Sequence, residues 1–242
     1  MVADMSFNEW TLTSQGQYLQ QRELAYFDKT VVDLFGFNAV QLGNPAWDVL
    51  RNSRMTHRFQ AHDAAAQVLV EPTHLPFANQ SLDMLVLPHV LEFSNYPHQI
   101  LREVERVLIA EGHLLISGFN PRSLWGLNRW LRRGTAVYPW SGQFINLTRL
   151  KDWLALLNFE VVAVSMCCYA PPLENADSLR FFDFMELAGD RWWAKGGGVY
   201  FIHAIKRVHG MHLIKPRWQE PITLSRALRP ASRNIQNESR HE

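Results

Sequence analysis

The sequence has few cysteines, no long apolar run and no signal-like start, and each absence removes a class of protein. Its only cysteines, Cys167 and Cys168, are adjacent, which strains a disulfide and leaves no four-ligand zinc set. No run of about 20 apolar residues occurs, so we expect no membrane-spanning helix. Residues 1–10 lack a basic and then apolar pattern, so we expect no signal peptide. Together these absences predict reduced thiols, no metal site and a cytoplasmic protein.

What the chain does have is enough apolar side chain for a sizeable core. Hydrophobic residues make up 47% of its 242 residues, which suits one α/β domain with extra segments. Because strand-like and helix-like runs alternate, we predict an α/β fold with a mostly parallel sheet and helices on both faces. The predicted helices cover 16–35, 46–53, 97–108 and 147–157, and the predicted strands cover 37–43, 82–87, 113–117, 159–165 and 198–206.

Two further strand-like runs, 56–61 and 67–71, lie close together in the chain. Only five residues separate them, whereas a parallel crossover ordinarily needs a dozen or more. If both runs are strands, the spacing therefore predicts a hairpin.

The charge is small overall but unevenly distributed. The net charge is +1, yet residues 206–242 contain eight Lys or Arg and three acidic residues. That stretch is also rich in Pro, Ser and Asn, so we predict one domain over 1–207 followed by a basic, disordered tail over 208–242. A solvated extension is the preferred interpretation of the tail. Contact with nucleic acid or with an acidic membrane surface through phosphate groups is the alternative.

The strongest signal is an ordered set of motifs between Glu71 and Pro121. The acid precedes a Leu-Pro-Phe tripeptide at 75–77, and then come a turn, a buried strand, a helix ending in Arg-Val-Leu at 106–108, a glycine turn and another strand. This segment resembles the type-11 S-adenosylmethionine-dependent methyltransferase domain. The resemblance implies a Rossmann-like fold with an antiparallel C-terminal strand, methyltransferase activity and S-adenosylmethionine as the cofactor. It also implies that Glu71 lies near the adenine.

The first motif of that family is reduced in this chain. A Gly-rich turn normally follows the first strand so that the backbone approaches the cofactor closely, and the family shows an acid-x-Gly-x-Gly pattern. Here Gln41 stands in place of the acid that would contact the amino group of the methionine portion, and Gly43 is the one glycine that remains. We count both among the candidate cofactor-binding residues. Asp63 lies 20 residues after Gly43, the spacing of an acid that binds ribose hydroxyls. A simple turn role for Asp63 is the alternative.

Further candidate site residues follow strands that end at the same edge of the predicted sheet. His89 follows the central strand, where we expect it to line the cofactor or the methyl-transfer path. Asn120 ends the next strand, and Tyr96 and Tyr138 lie in neighbouring segments. We assign these last three residues to the acceptor side.

Two insertions, 119–146 and 169–197, are rich in aromatic residues, and the first also has four arginines. Such segments form either a lid that shapes substrate choice or a cap that only packs. We therefore predict a methyltransferase that uses S-adenosylmethionine on an acceptor the sequence does not identify. The reduced first motif leaves open a degenerate relative that binds no cofactor and serves as an interaction module. The basic tail leaves open a nucleic-acid-associated protein.

Overall fold

The computed structural model describes residues 7–44, 46–62, 67–132, 137–182 and 184–208. The predicted tail, apart from its first residue, and Asp63 lie outside these residues. The helices are α1 (Phe7–Thr11), α2 (Ser14–Val31), α3 (Pro97–Val107), α4 (Leu124–Leu131), α5 (Leu147–Leu156), α6 (Ala176–Phe181) and α7 (Phe184–Trp192), with a 3₁₀ turn at Leu91–Phe93. The strands are β1 (Asn38–Leu42), β2 (His57–His62), β3 (Val68–Leu69), β4 (Leu82–Pro88), β5 (Leu108–Phe119), β6 (Phe159–Cys167) and β7 (Val199–Lys206).

The strands form one seven-stranded sheet in the order β3-β2-β1-β4-β5-β7-β6. Neighbours from β3 to β5 pair in parallel, whereas β7 pairs antiparallel with both β5 and β6. The predicted fold class is therefore confirmed, with β7 as the antiparallel C-terminal strand.

The predicted hairpin of β2 and β3 is wrong, because these strands are parallel, with Ala61 opposite Val68 and His62 opposite Leu69. The minimum crossover length applies when a chain must return along a whole strand. Here β3 has only two residues, and they pair with the last two residues of β2. The chain therefore has to run back past only about one residue of β2 before β3 begins.

Both faces of the sheet are covered, which explains why β4 is almost continuously apolar. Met84 and Val86 face a core that includes residues of α2, and Leu85 and Leu87 face a core that includes residues of α3. The α3 helix begins with Pro97 at its first turn, where a missing N–H costs nothing. The buried stripe of α3 consists of Ile100, Leu101, Val104 and Val107.

The predicted helix at 46–53 is wrong, since the described residues of this segment form turns. Its apolar side chains are nevertheless buried, with Trp47 1% exposed and Val49 fully buried. A loop therefore takes the covering position beside β1 that a crossover helix would take.

The two insertions contain helices α4, α6 and α7. Trp125 of α4 is fully buried, and its indole Nε1 donates a hydrogen bond to the Ala170 carbonyl at 3.0 Å. The two insertions therefore pack against each other. None of the helices in the described ranges is long and apolar enough to cross a membrane.

The adjacent cysteines are free thiols, as predicted. Cys167 ends β6 and Cys168 follows it, with their sulfur atoms 3.4 Å apart. Burial raises the pKa of both thiols, so they are held in the protonated, weakly reactive form.

Candidate functional site

The carboxyl ends of β1, β4 and β5 lie side by side, and each is followed by a residue that the sequence singled out. Gly43 follows β1, His89 follows β4 and Asn120 follows β5. In open α/β sheets the ligand crevice lies outside this edge of the strands. The sheet topology therefore brings these three predicted site residues to one place.

Gln41 braces the turn that follows β1. Its Nε2 lies within hydrogen-bond distance of the carbonyls of Gly43 (3.2 Å), Asn44 (2.7 Å) and Trp47 (2.6 Å), and its Oε1 accepts from Val49 N at 3.0 Å. A carboxylate at this position would have no proton to donate to these carbonyls. The amide that departs from the family pattern is thus the group that holds the loop in place. The predicted contact of Gln41 with a cofactor stays a prediction.

Gly43 adopts a left-handed conformation, with a φ of 80°. A Cβ at this glycine would lie 2.6 Å from Val90 Cγ2. The close approach that the sequence predicted for a ligand is therefore made by a side chain of the protein itself. Glycine is required here for both backbone conformation and space.

His89 is buried between two carboxylates. Its Nε2 donates to Glu23 Oε1, and its Nδ1 lies 3.1 Å from Glu92 Oε1. Burial alone would lower the pKa of His89, but the charges of Glu23 and then Glu92 outweigh it and raise the pKa to about 10. The ring is therefore an imidazolium at neutral pH, with both nitrogens engaged. This arrangement does not suit a general base, since neither nitrogen keeps a free lone pair.

The sequence did not predict that two carboxylates would hold His89. Glu23 lies on α2, far from His89 in the chain, and its Oε2 accepts a hydrogen bond from Ser117 Oγ at 3.1 Å. Its burial could have been noticed, because Glu23 stands four residues after Leu19 and four before Phe27 on the apolar face. Glu92 gave no comparable signal.

A group of buried polar atoms at this edge makes no hydrogen bond to any described residue. We call the four residues that carry them the edge group. Unpaired buried polar groups are uncommon and often mark a missing ligand, ion or water. The atoms are Asn44 Oδ1 and Nδ2, Trp47 Nε1, Glu92 Oε2 and the Tyr138 hydroxyl.

Tyr138 is brought to the edge group by aromatic packing from several segments. Its ring centroid lies 4.7 Å from that of Phe93, 4.9 Å from Phe7 and 5.0 Å from Trp10. Burial, and then the charges of Glu92 and Glu23, raise the pKa of Tyr138 well above its usual range. It therefore remains a neutral hydroxyl that can donate or accept.

Asn120 has a structural role in the described residues. Its amide nitrogen donates to the carbonyls of Lys195 (3.0 Å) and Gly197 (2.9 Å), and its Oδ1 accepts from Arg122 N at 3.0 Å. Asn120 thus ties the two insertions together. Tyr96 directly precedes α3 and is 65% exposed. The acceptor-side roles of both residues stay predictions.

Glu71 lies just beyond β3 with 72% of its side chain exposed. Its Oε1 accepts a hydrogen bond from Thr73 Oγ1 at 2.7 Å, and its Oε2 lies 3.9 Å from His74 Nδ1. The carboxylate is therefore accessible to a ligand. Across the described residues, no cluster of three His, Cys, Asp or Glu side chains is arranged to hold a metal ion.

Comparisons with known proteins fit this fold. Residues 39–116 match the family model described as a methyltransferase domain. The protein YafS of Escherichia coli (strain K12) is 38% identical over 135 residues, which cover 54% of this chain and 56% of YafS. The match thus spans little more than half of that relative's length.

Two solved structures share the fold at low sequence identity. A SAM-dependent methyltransferase from Thermotoga maritima has a TM-score of 0.57 and 15% identity, covering 83% of this chain and 95% of its own. The geranyl diphosphate C-methyltransferase of Streptomyces coelicolor A3(2), solved with Mg²⁺, geranyl-S-thiolodiphosphate and S-adenosyl-L-homocysteine, has a TM-score of 0.53 and 13% identity, covering 75% and 76%. These likenesses and the sheet order show the fold of this chain, and over residues 39–116 the chain is similar to the methyltransferase domain family.

Proposed function

We propose that this chain is an S-adenosylmethionine-dependent methyltransferase that binds its cofactor at the carboxyl edge of β1, β4 and β5. The family match supports methyl transfer as the reaction class. The observation that carries the position is the edge group, because three of its four residues, Asn44, Trp47 and Glu92, closely follow β1 and β4, at the edge where such folds have their ligand crevice.

The turn after β1 offers the clearest fit to a polar ligand. Asn44 is 8% exposed, and neither its side-chain oxygen nor its nitrogen has a hydrogen-bond partner among the described residues. Trp47 Nε1, in the same turn, is a further donor with no partner in the described part of the chain. Leaving such groups without partners costs about 1–3 kcal/mol each, so a ligand rich in hydroxyl and carboxylate groups would be stabilised there. Gln41 and Gly43 contribute by shaping the turn rather than by offering free groups.

Glu71 is the second feature that suits the proposed cofactor. Its exposed carboxylate follows β3, two strands away from β1 in the sheet. The family resemblance implies a hydrogen bond from the adenine amino group to this acid. A cofactor spanning the turn after β1 and Glu71 would lie along the carboxyl edge, as ligands of doubly wound sheets do.

Methyl transfer requires little of the protein beyond the alignment of cofactor and acceptor. The sulfonium of the bound cofactor supplies an already activated methyl group, so the protein has to orient the acceptor and exclude water. The aromatic side chains around Tyr138 provide a water-poor surface. No general base is compulsory for such a transfer, which agrees with the fully engaged His89.

The test is calorimetric titration of the whole chain with S-adenosylmethionine and with S-adenosylhomocysteine. We expect micromolar binding that weakens about tenfold in Asn44→Ala and in Glu71→Ala, each equivalent to about 1.4 kcal/mol. Glu174→Ala is the matched control, because this carboxylate is also exposed and pairs with Arg132 away from the edge group. Absence of binding to a well-folded chain would reject the proposed function.

A second candidate is a methyltransferase fold reused without a cofactor as an interaction module. Three observations favour it: Gln41 is satisfied within its loop, Val90 fills the space beside Gly43, and Trp47 is buried in the position of the missing helix. The same titration separates the two candidates, since this one requires that neither ligand bind.

A further inference from the structure

Glu92 differs from the other carboxylate that holds His89. It lies in the 3₁₀ turn after β4 and is 2% exposed. Its Oε1 accepts from Phe119 N at 2.6 Å and lies 3.1 Å from His89 Nδ1, whereas its Oε2 makes no hydrogen bond to the described residues. In Glu23, by contrast, both oxygens are engaged, by His89 and Ser117.

The charges of this cluster do not balance. Two carboxylates, Glu23 and Glu92, face one imidazolium, His89, and all three side chains are at most 2% exposed. A buried net negative charge is costly unless a cation or several donors compensate for it. The uncompensated part lies at Glu92 Oε2, because every other carboxylate oxygen of the cluster has a partner.

The surroundings of Glu92 suit an organic cation. The Tyr138 hydroxyl makes no hydrogen bond within the described ranges, and the Tyr138 ring is stacked on Phe93, the residue after Glu92. The backbone N–H of Phe119 donates to Glu92, and the ring centroid of Phe119 lies 6.4 Å from that of Tyr138. Aromatic faces attract ammonium and sulfonium groups, and the attraction is strongest where water is excluded.

The segment that contains Glu92 contacts the turn after β1. Val90, two residues earlier, comes within 2.6 Å of the Cβ position of Gly43. The family places an acid at position 41 for the amino group of the cofactor's methionine portion, but Gln41 has no charge and uses its amide within the loop.

We infer that Glu92 Oε2 and the Tyr138 hydroxyl form a binding site for an organic ammonium group, the α-ammonium of the methionine portion of S-adenosylmethionine. This inference rests on the proposed function and deepens it, because it gives Glu92 the charge-pairing role that position 41 no longer fills. An ammonium fits better than the sulfonium, since Glu92 Oε2 can only accept a hydrogen bond, the Tyr138 hydroxyl can accept one as well, and a sulfonium has no N–H to donate.

The test uses three probes that differ in the groups they carry: S-adenosylmethionine, S-adenosylhomocysteine, which keeps the ammonium but has no sulfonium, and 5′-methylthioadenosine, which has neither. Each is titrated calorimetrically against the whole chain and the variants Glu92→Gln and Tyr138→Phe. Glu92→Gln keeps an oxygen for Phe119 N. Tyr138→Phe removes one hydroxyl and keeps the ring, so the test survives if the first variant fails to fold.

Glu186→Gln is the matched control. This carboxylate also accepts backbone N–H groups, those of Cys168 and Tyr169, but it lies on α7 and both its oxygens are engaged. We expect Glu92→Gln to weaken both amino-acid-containing probes about ten- to a hundredfold, as for the loss of a charged hydrogen bond. Tyr138→Phe should weaken both by a smaller factor, and methylthioadenosine should bind all forms alike.

Three outcomes overturn the inference. Equal affinity of Glu92→Gln and the unaltered chain for every probe would show that Glu92 has only a structural role. Weaker binding of S-adenosylmethionine alone would assign the site to the sulfonium. Failure of the unaltered chain to bind any probe would reject the proposed function itself, and it differs visibly from the first two outcomes.

Discussion

Two parts of the same sheet, 38–69 and 82–119, cover their parallel strands in different ways. In the second part a regular crossover helix, α3, joins β4 to β5 and buries a complete apolar stripe. In the first part β1 is joined to β2 by residues 43–56, whose described members form no helix. Trp47 and Val49 of this loop are buried instead.

The difference shows what a helix supplies to a parallel sheet and what can replace it. Strands that are buried on both faces must be covered by apolar side chains. The segment that carries those side chains must also find hydrogen-bond partners for its own backbone N–H and C=O groups. A helix does this internally, whereas the loop after β1 depends on one side chain, Gln41, which engages four of the loop's backbone groups. The loop thereby replaces the helix, but it does not provide the helix N-terminus that Rossmann-like folds generally place beside a ligand at this position.

The largest expected loss of stability comes from removing the buried side chain with which the loop after β1 covers the sheet. Trp47→Ala should reduce the free energy of unfolding by about 3–5 kcal/mol, which is the range for a buried aromatic residue. Urea denaturation would measure it beside Ile100→Ala on α3, for which about 2–5 kcal/mol is expected. A loss below about 1 kcal/mol for Trp47→Ala, the level of a surface substitution, would mean that the loop does not act as core.

The second prediction concerns His89, which directly follows β4 and contacts Glu23 of α2. His89→Gln should cost about 3–5 kcal/mol at or below pH 6.5, because two buried carboxylates lose their cation. The pKa of His89 is about 10 in the folded chain against 6.5 unfolded, so its stabilisation is complete below pH 6.5 and is lost as pH rises through about 10.

The measurement is the difference in unfolding free energy between the unaltered chain and His89→Gln at several pH values from 6.5 to 10. This difference should shrink as pH rises. A constant difference would contradict the charged imidazolium and leave His89 as a neutral packing residue.

A smaller effect is expected from restoring the family's acidic character. Gln41→Glu should destabilise the chain by about 2–3 kcal/mol at neutral pH, because a carboxylate cannot donate to the carbonyls of Gly43, Asn44 and Trp47. Burial raises the pKa of such a carboxyl, so the loss should diminish at about pH 4 as the acid regains a proton to donate. Unchanged stability with tighter cofactor binding would instead show that the loop can open for a ligand.

The smallest effect concerns Gly43. Gly43→Ala should cost about 1–2 kcal/mol for the left-handed backbone alone, with a further cost from the overlap with Val90 Cγ2. Combining it with Val90→Ala should recover the overlap part and leave the backbone part. If the two substitutions are simply additive in denaturation experiments, the contact with Val90 does not limit position 43.

The sequence predicted the second part of the sheet better than the first. The periodicity of α3 and the apolar run of β4 were confirmed, since their patterns depend on local spacing and uniform burial. The direction of β3 and the form of 46–53 were wrong. Strand direction depends on a pairing partner, and a loop with buried apolar residues has the composition of a short helix.

For the candidate site, the sequence located the edge of the sheet and its strand-end residues, and the ordered motifs from Glu71 onward indicated the similarity to methyltransferase domains that the match over 39–116 also shows. It did not predict that His89 would be held by Glu23 of α2, or that Gln41 would be used within its own loop. These contacts join residues from separate elements. Only tertiary packing decides which polar atoms are paired and which, such as Glu92 Oε2, have no partner among the described residues, because pairing depends on distances that local sequence patterns do not contain.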